Sequence, residues 1–123
     1  MKWITLIGDE TLTLESVKSI KHDDSISCHD VYEGRFCVEF GDDHIFYDYF
    51  DVCDVVDNQY TETVISKTPF NNPHYILIVY RSGERVKKII QQSNFLRGVY
   101  VDNDAGVIVP IEEFIKMGMP MEP

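Results

Sequence analysis

Between Glu39 and Glu62 the chain carries eight carboxylates, Glu39, Asp42, Asp43, Asp48, Asp51, Asp54, Asp57 and Glu62, while no Lys or Arg occurs from Phe36 to Ser66. Carboxylates gathered in this way can steer a cationic partner, ligate a hard metal ion or serve as acid and base. Phe40, Phe46, Tyr47, Tyr49, Phe50 and Tyr60 are threaded among them. Rings supply desolvated anchors that a merely solvating acidic tail lacks, so the combination favours docking onto a basic protein surface. The candidate partner-binding residues are Asp42, Asp43, Phe46, Tyr47, Asp48, Tyr49, Asp51, Asp54 and Asp57.

The other chemistries fit less well. Asp48, Asp51, Asp54 and Asp57 recur every third residue, and on a helix that spacing turns about 60° backward per step, which spreads the carboxylates instead of converging them on a metal. Asp102-Asn103-Asp104, with Glu113 at the twelfth position, has some likeness to a calcium loop, but Val107 occupies the position that requires glycine. A hairpin turn explains that segment better. Cys28, His29, Cys37, His44 and Cys53 could ligate zinc, yet their gaps match no compact ligand pairing. Adjacent Cys28 and His29 would point to opposite faces of a strand, where the imidazole could not activate the thiol. Asn72-Pro73-His74-Tyr75 has the NPxY form of a peptide ligand but reads as a turn entering a buried strand. Phosphate-binding glycine loops and the GxSxG elbow are absent, which lowers the expectation of an enzyme, and no cofactor or metal is expected.

The chain of 123 residues has a formal net charge of -10, 44% hydrophobic and 12% aromatic residues, and a pI near 4.6. Its length suits a single domain over residues 1–123 with a continuous core. Its field repels phosphate polymers and anionic lipid, so neither nucleic acid nor a membrane surface is an expected partner. Three cysteines cannot all pair within one chain, which favours a reducing compartment. The apolar run from Trp3 to Ile7 is too short for a signal-peptide core, and a cytoplasmic location is expected.

These residues must be positioned by alternating strands and helices. Trp3 to Ile7 reads as a buried strand, followed by a helix from Thr13 with Leu14, Val17 and Ile20 at one-turn spacing. Ile26 to Tyr32 and Arg35 to Phe40 flank a tight Glu33-Gly34 turn, and Gly41-Asp42-Asp43 leads into a strand from His44 to Phe50. In that strand His44, Phe46, Asp48 and Phe50 share one side, and Ile45, Tyr47 and Tyr49 the other. Residues 51–66 are ambiguous: Val52, Val55 and Val56 suit a helix face, whereas Thr61 to Ser66 is rich in β-branched residues. Pro69 and Asn71-Asn72-Pro73 mark a seam between two halves of one core. Tyr75 to Tyr80 is a central strand, Ser82 caps a helix with Val86, Ile89 and Ile90 on its core side, and Asp102 to Gly106 turns a hairpin between valine-rich strands. Pro110 opens a last helix, and residues 117–123 form a frayed tail.

Both halves thus begin strand, helix, strand, strand. The expected class is α+β, a largely antiparallel sheet covered by helices, with a ferredoxin-like arrangement as one option. In size, acidity and aromatic content the chain is similar to small bacterial immunity proteins that neutralise toxins, which implies a non-enzymatic inhibitor covering a basic site on a partner. Two alternatives from other classes are a small metal-dependent or acid/base hydrolase using Asp or Glu with His22, His29 or His44, and a homo-oligomeric regulatory or structural subunit. The latter would join the acidic segment of one copy to Arg81, Arg85, Lys87, Lys88 and Arg97 of another, a run opposed within its span by Glu84.

Overall fold

The computed structural model describes residues 2–50 and 58–121. Seven strands form one antiparallel sheet: β1 (Lys2–Gly8), β2 (Ser27–Tyr32), β3 (Arg35–Glu39), β4 (His44–Phe50), β5 (His74–Tyr80), β6 (Tyr100–Asp102) and β7 (Ile108–Pro110). Four helices accompany them: α1 (Leu14–Lys18), α2 (Asn58–Lys67), α3 (Gly83–Gln91) and α4 (Ile111–Lys116). The spatial order is β2-β3-β4-β5-β1-β6-β7. The α+β class and the largely antiparallel sheet expected from the pattern are present. The sheet exceeds what the ferredoxin-like option requires, because β2 and β3 extend one side, β7 extends the other, and α2 stands between β4 and β5 in the chain.

The two halves are interleaved, not juxtaposed. β1 and β5, the leading strand of each half, pair along their whole length from Lys2↔Tyr80 to Gly8↔His74. The later strands of each half then flank the other half's leading strand, β4 beside β5 and β6 beside β1. The Pro69 to Pro73 segment therefore punctuates the chain without marking a spatial seam.

Alternation along the strands assigns two faces. Ile4, Leu6, Val38, Ile45, Ile76 and Ile78, all fully buried, meet Val17, Val86, Ile90 and Phe114 from α1, α3 and α4 in the main core. The opposite face carries a smaller cluster in which Val64 of α2 packs with Ile7 and Tyr75, bordered by Phe50, Tyr60, Phe70 and Tyr100. Each apolar side chain buried this way contributes roughly 1.5–3 kcal/mol, and the continuous apolar run of β5 is the mark of a strand covered on both sides.

Local chemistry accounts for the ends. Ser82 caps α3 by accepting the Arg85 N–H at 3.4 Å, and Thr13 caps α1 while donating its own N–H to Ser16 Oγ at 3.1 Å. Gly34 and Gly41 take positive φ of 92° and 91° in the two turns of the meander, where a side chain would be strained.

Packing decides one stretch that composition left ambiguous and corrects one expectation. The β-branched run from Thr61 to Ser66 is helical, because Val64 is fully buried against the sheet, while the hydroxyls of Thr63, Ser66 and Thr68 are satisfied by carbonyls of the preceding turn. The Val52, Val55 and Val56 part of that reading lies outside the described residues. The tail from 117 is anchored, not frayed, as far as residue 121. Gly118 and Met119 donate to Ile115 and Phe114 in a Schellman closure of α4, Met119 is buried, and Asn103 Nδ2 donates to the Pro120 carbonyl at 3.0 Å.

His22, in the loop after α1, is buried with its Nε2 2.7 Å from Tyr47 Oη. Burial holds its pKa below the ordinary 6.5, against smaller upward pulls from the Ile20 backbone and Asp23. The native fold therefore selects the neutral ring. As pH falls below 6.5 the unfolded chain takes up the proton before the native ring does, so stability present above that pH is lost as pH falls toward the native value. Urea unfolding on either side of that pH should show a larger drop for the parent chain than for His22→Gln; equal drops would exclude His22 as the origin.

Candidate functional site

The strand β4 divides the expected site residues. Tyr47 is fully buried in the main core, stacked near Phe36 with ring centroids 6.5 Å apart. It is a core residue and is not available to a partner. Tyr49 is on the same face, half-buried, with its Oη 2.7 Å from His74 Nδ1. Phe46 and Asp48 lie on the opposite face, as the alternation requires. Asp42 and Asp43 sit in the β3–β4 turn beyond the other end of the strand, with Asp42 3.7 Å from Arg85 of α3. Asp51, Asp54 and Asp57 lie outside the described residues. The described candidates fall into three places, with Phe46 and Asp48 on one sheet face, Tyr47 and Tyr49 on the other, and Asp42 and Asp43 in the turn.

Asp48 is already neutralised. Arg35 donates from Nε and Nη2 to its two carboxylate oxygens, each at 2.6 Å, and the guanidinium lies 4.5 Å from the Phe46 ring centre and 5.5 Å from that of Tyr32. A planar cation over aromatic rings, forked onto a carboxylate, is the arrangement that guanidinium chemistry favours. The pairing raises the Arg35 pKa further. Cys37, on the same face, donates its thiol to Glu39 Oε1 at 3.4 Å, and burial pushes that thiol up to about 11, far from a reactive thiolate. Cys28 is exposed on β2, and Cys53 lies outside the described residues. Among the described residues no three His, Cys, Asp or Glu side chains converge as a metal site. The oxygens of Asp102 and Asn103, considered for calcium, accept N–H groups of their own turn from Asp104, Ala105 and Val107. No helix among the described residues is long and apolar enough to cross a membrane.

The same sheet face holds a second constellation that the sequence did not single out. Strand register places Arg35, Asp48, Leu77, Thr5 and Asp102 in one row across β3, β4, β5, β1 and β6. Around the Asp102 end lies a cavity of about 230 Å³ walled by Trp3, Phe50, Tyr60 and Tyr75, with Thr5 and Leu77 on the sheet and Asp104 at its edge. Asp102 is 7% exposed. It accepts the Tyr60 hydroxyl at 2.6 Å and the Asp104 N–H at 2.8 Å, and no Lys or Arg among the described residues forms an ion pair with it. Burial, helped by the bond to the Asp102 carboxylate, raises the Tyr60 pKa and keeps that hydroxyl a donor. Trp3, by contrast, is 45% exposed.

Sequence spacing pointed to the turn role of Asp102, and the structure places it as the last residue of β6, before that turn. Nothing local could bring Trp3, Tyr60 and Asp102 together, because their proximity depends on β1 lying between β5 and β6 and on α2 returning over that end of the sheet. Comparison with family models, curated proteins and solved structures gives no match.

Proposed function

We propose that this chain is a non-enzymatic cytoplasmic protein-binding module that receives a basic surface of a partner protein, in the manner of an inhibitor or immunity-type protein. The supporting observation is the asymmetry of the sheet. Helices α1, α3 and α4 cover one face, whereas on the other α2 covers only one end among the described residues, leaving Trp3 exposed beside half-buried Phe46, Leu77 and Val79. Apolar and aromatic surface with carboxylates nearby, on a chain of net charge -10, suits the anchoring and steering of a cationic partner.

Affinity capture from the source cell tests this reading. The intact chain should retain a basic protein that is released as salt rises and is lost when Asp51, Asp54 and Asp57 are all replaced by Asn. Retention of the same proteins by both forms, insensitive to salt, would discard it. Sedimentation of the purified chain at low and high salt separates it from self-association through the basic residues of α3, which would appear as salt-sensitive dimers without any other protein present.

A further inference from the structure

We infer that the cavity beside Asp102 is a receptor for one arginine side chain presented by the partner protein. This rests on the protein-binding reading above. A carboxylate 7% exposed and held, among the described residues, by neutral donors alone has a cation as its natural complement. Aromatic residues Trp3, Phe50, Tyr60 and Tyr75 line the cavity beside that carboxylate, and aromatic rings are the surfaces on which a guanidinium stacks. A lysine ammonium, a strongly hydrated point charge, would gain less from such walls. The volume of about 230 Å³ is below that of an ordinary drug-sized ligand pocket and suits a single side chain.

The chain itself contains the filled counterpart. Asp48 and Asp102 occupy the same row, each one strand outside the central Leu77↔Thr5 pair of β5 and β1, and three strand spacings put them about 14 Å apart. Asp48 has its guanidinium, Arg35, in place over the rings of Phe46 and Tyr32. Asp102 has the rings and the carboxylate but no cation of the described chain. An arginine from outside would complete there what Arg35 completes at Asp48.

Trp3 is the only tryptophan of the chain, so its fluorescence reports on this cavity directly. A blocked tripeptide with central arginine should change that fluorescence saturably, with an affinity that falls as salt rises. The same peptide with citrulline, the neutral isostere, should give no saturable change, and the lysine peptide should bind about tenfold more weakly. Asp102→Asn, which retains an acceptor for Tyr60, should weaken the arginine peptide by at least about tenfold. Equal responses to arginine and citrulline, or undiminished binding by a folded Asp102→Asn chain, would overturn the inference. Should that variant not fold, Trp3→Leu at the exposed wall, read by calorimetry, must show the same weakening. Free arginine binding more tightly than the blocked peptide would overturn the assignment to a protein side chain. A captured partner that needs Asp51, Asp54 and Asp57 but binds Asp102→Asn unchanged would remove the arginine pocket while leaving the protein-binding reading in place.

Discussion

Replacing Tyr47 by alanine should destabilise the fold by about 4 kcal/mol or more, since truncating a buried aromatic residue costs about 3–5 kcal/mol and orphaning a buried polar partner adds about 1–3. The ring is fully buried, with the His22 ring centroid 5.6 Å away and that of Phe36 6.5 Å away. Its hydroxyl, whose pKa is raised by burial alone, bonds to His22 Nε2 at 2.7 Å. Tyr47→Phe retains the ring and loses only that bond, so its cost should be about 1–3 kcal/mol. Urea unfolding followed by far-UV circular dichroism measures both. The midpoint should shift with little change of slope. A loss below about 1 kcal/mol for Tyr47→Ala, ordinary for a surface substitution, would show that Tyr47 is not the core residue described and would return it to the candidates for partner binding.

Arg35→Met should cost about 2–3 kcal/mol. Breaking a buried ion pair by removing one partner costs about 3–5 kcal/mol, but the Arg35 side chain is 26% exposed and water offsets part of the loss. Asp48, at 9% exposed, would be left without either of its two short bonds. Methionine keeps an unbranched apolar stem that can lie against Phe46, so most of the loss should arise from the stranded charge. The double variant Arg35→Met with Asp48→Leu should therefore recover to within about 1 kcal/mol of the parent, since apolar replacement of a whole buried pair is often neutral or stabilising. A double variant as unstable as Arg35→Met alone would mean that packing, not the orphaned carboxylate, sets the cost. The cycle also bears on function, because it shows how strongly this sheet face holds a guanidinium when one is supplied.

The sequence revealed the elements more fully than the site. Hydrophobic period alone placed the helix at Val86, Ile89 and Ile90 and the alternating faces of His44 to Phe50, because a helix or strand buries residues at a spacing set by its own geometry. It failed to decide the stretch from Thr61 to Ser66, where β-branched composition left the element ambiguous and burial of Val64 against Ile7 and Tyr75 stabilised a helix. It failed again at the tail, where Met119 is fastened by the closure of α4 and by burial, neither of which a Gly- and Pro-rich composition discloses.

The candidate site divides along the same line. The excess of carboxylates, the aromatic content and the sides of β4 on which Phe46 and Tyr47 fall are properties of residue type and strand period, and the chain determined them unaided. Which side would be sealed was decided by where α1, α3 and α4 settled. That choice put Tyr47 in the core and left Phe46 and Asp48 on the face where Arg35 could reach them. The meeting of Trp3, Tyr60 and Asp102 depends on strand order and on the return of α2, contacts between segments tens of residues apart. Local periodicity carries no record of such contacts, because they arise only when apolar faces from separate segments are buried together and the polar groups left between them must find partners in the assembled fold.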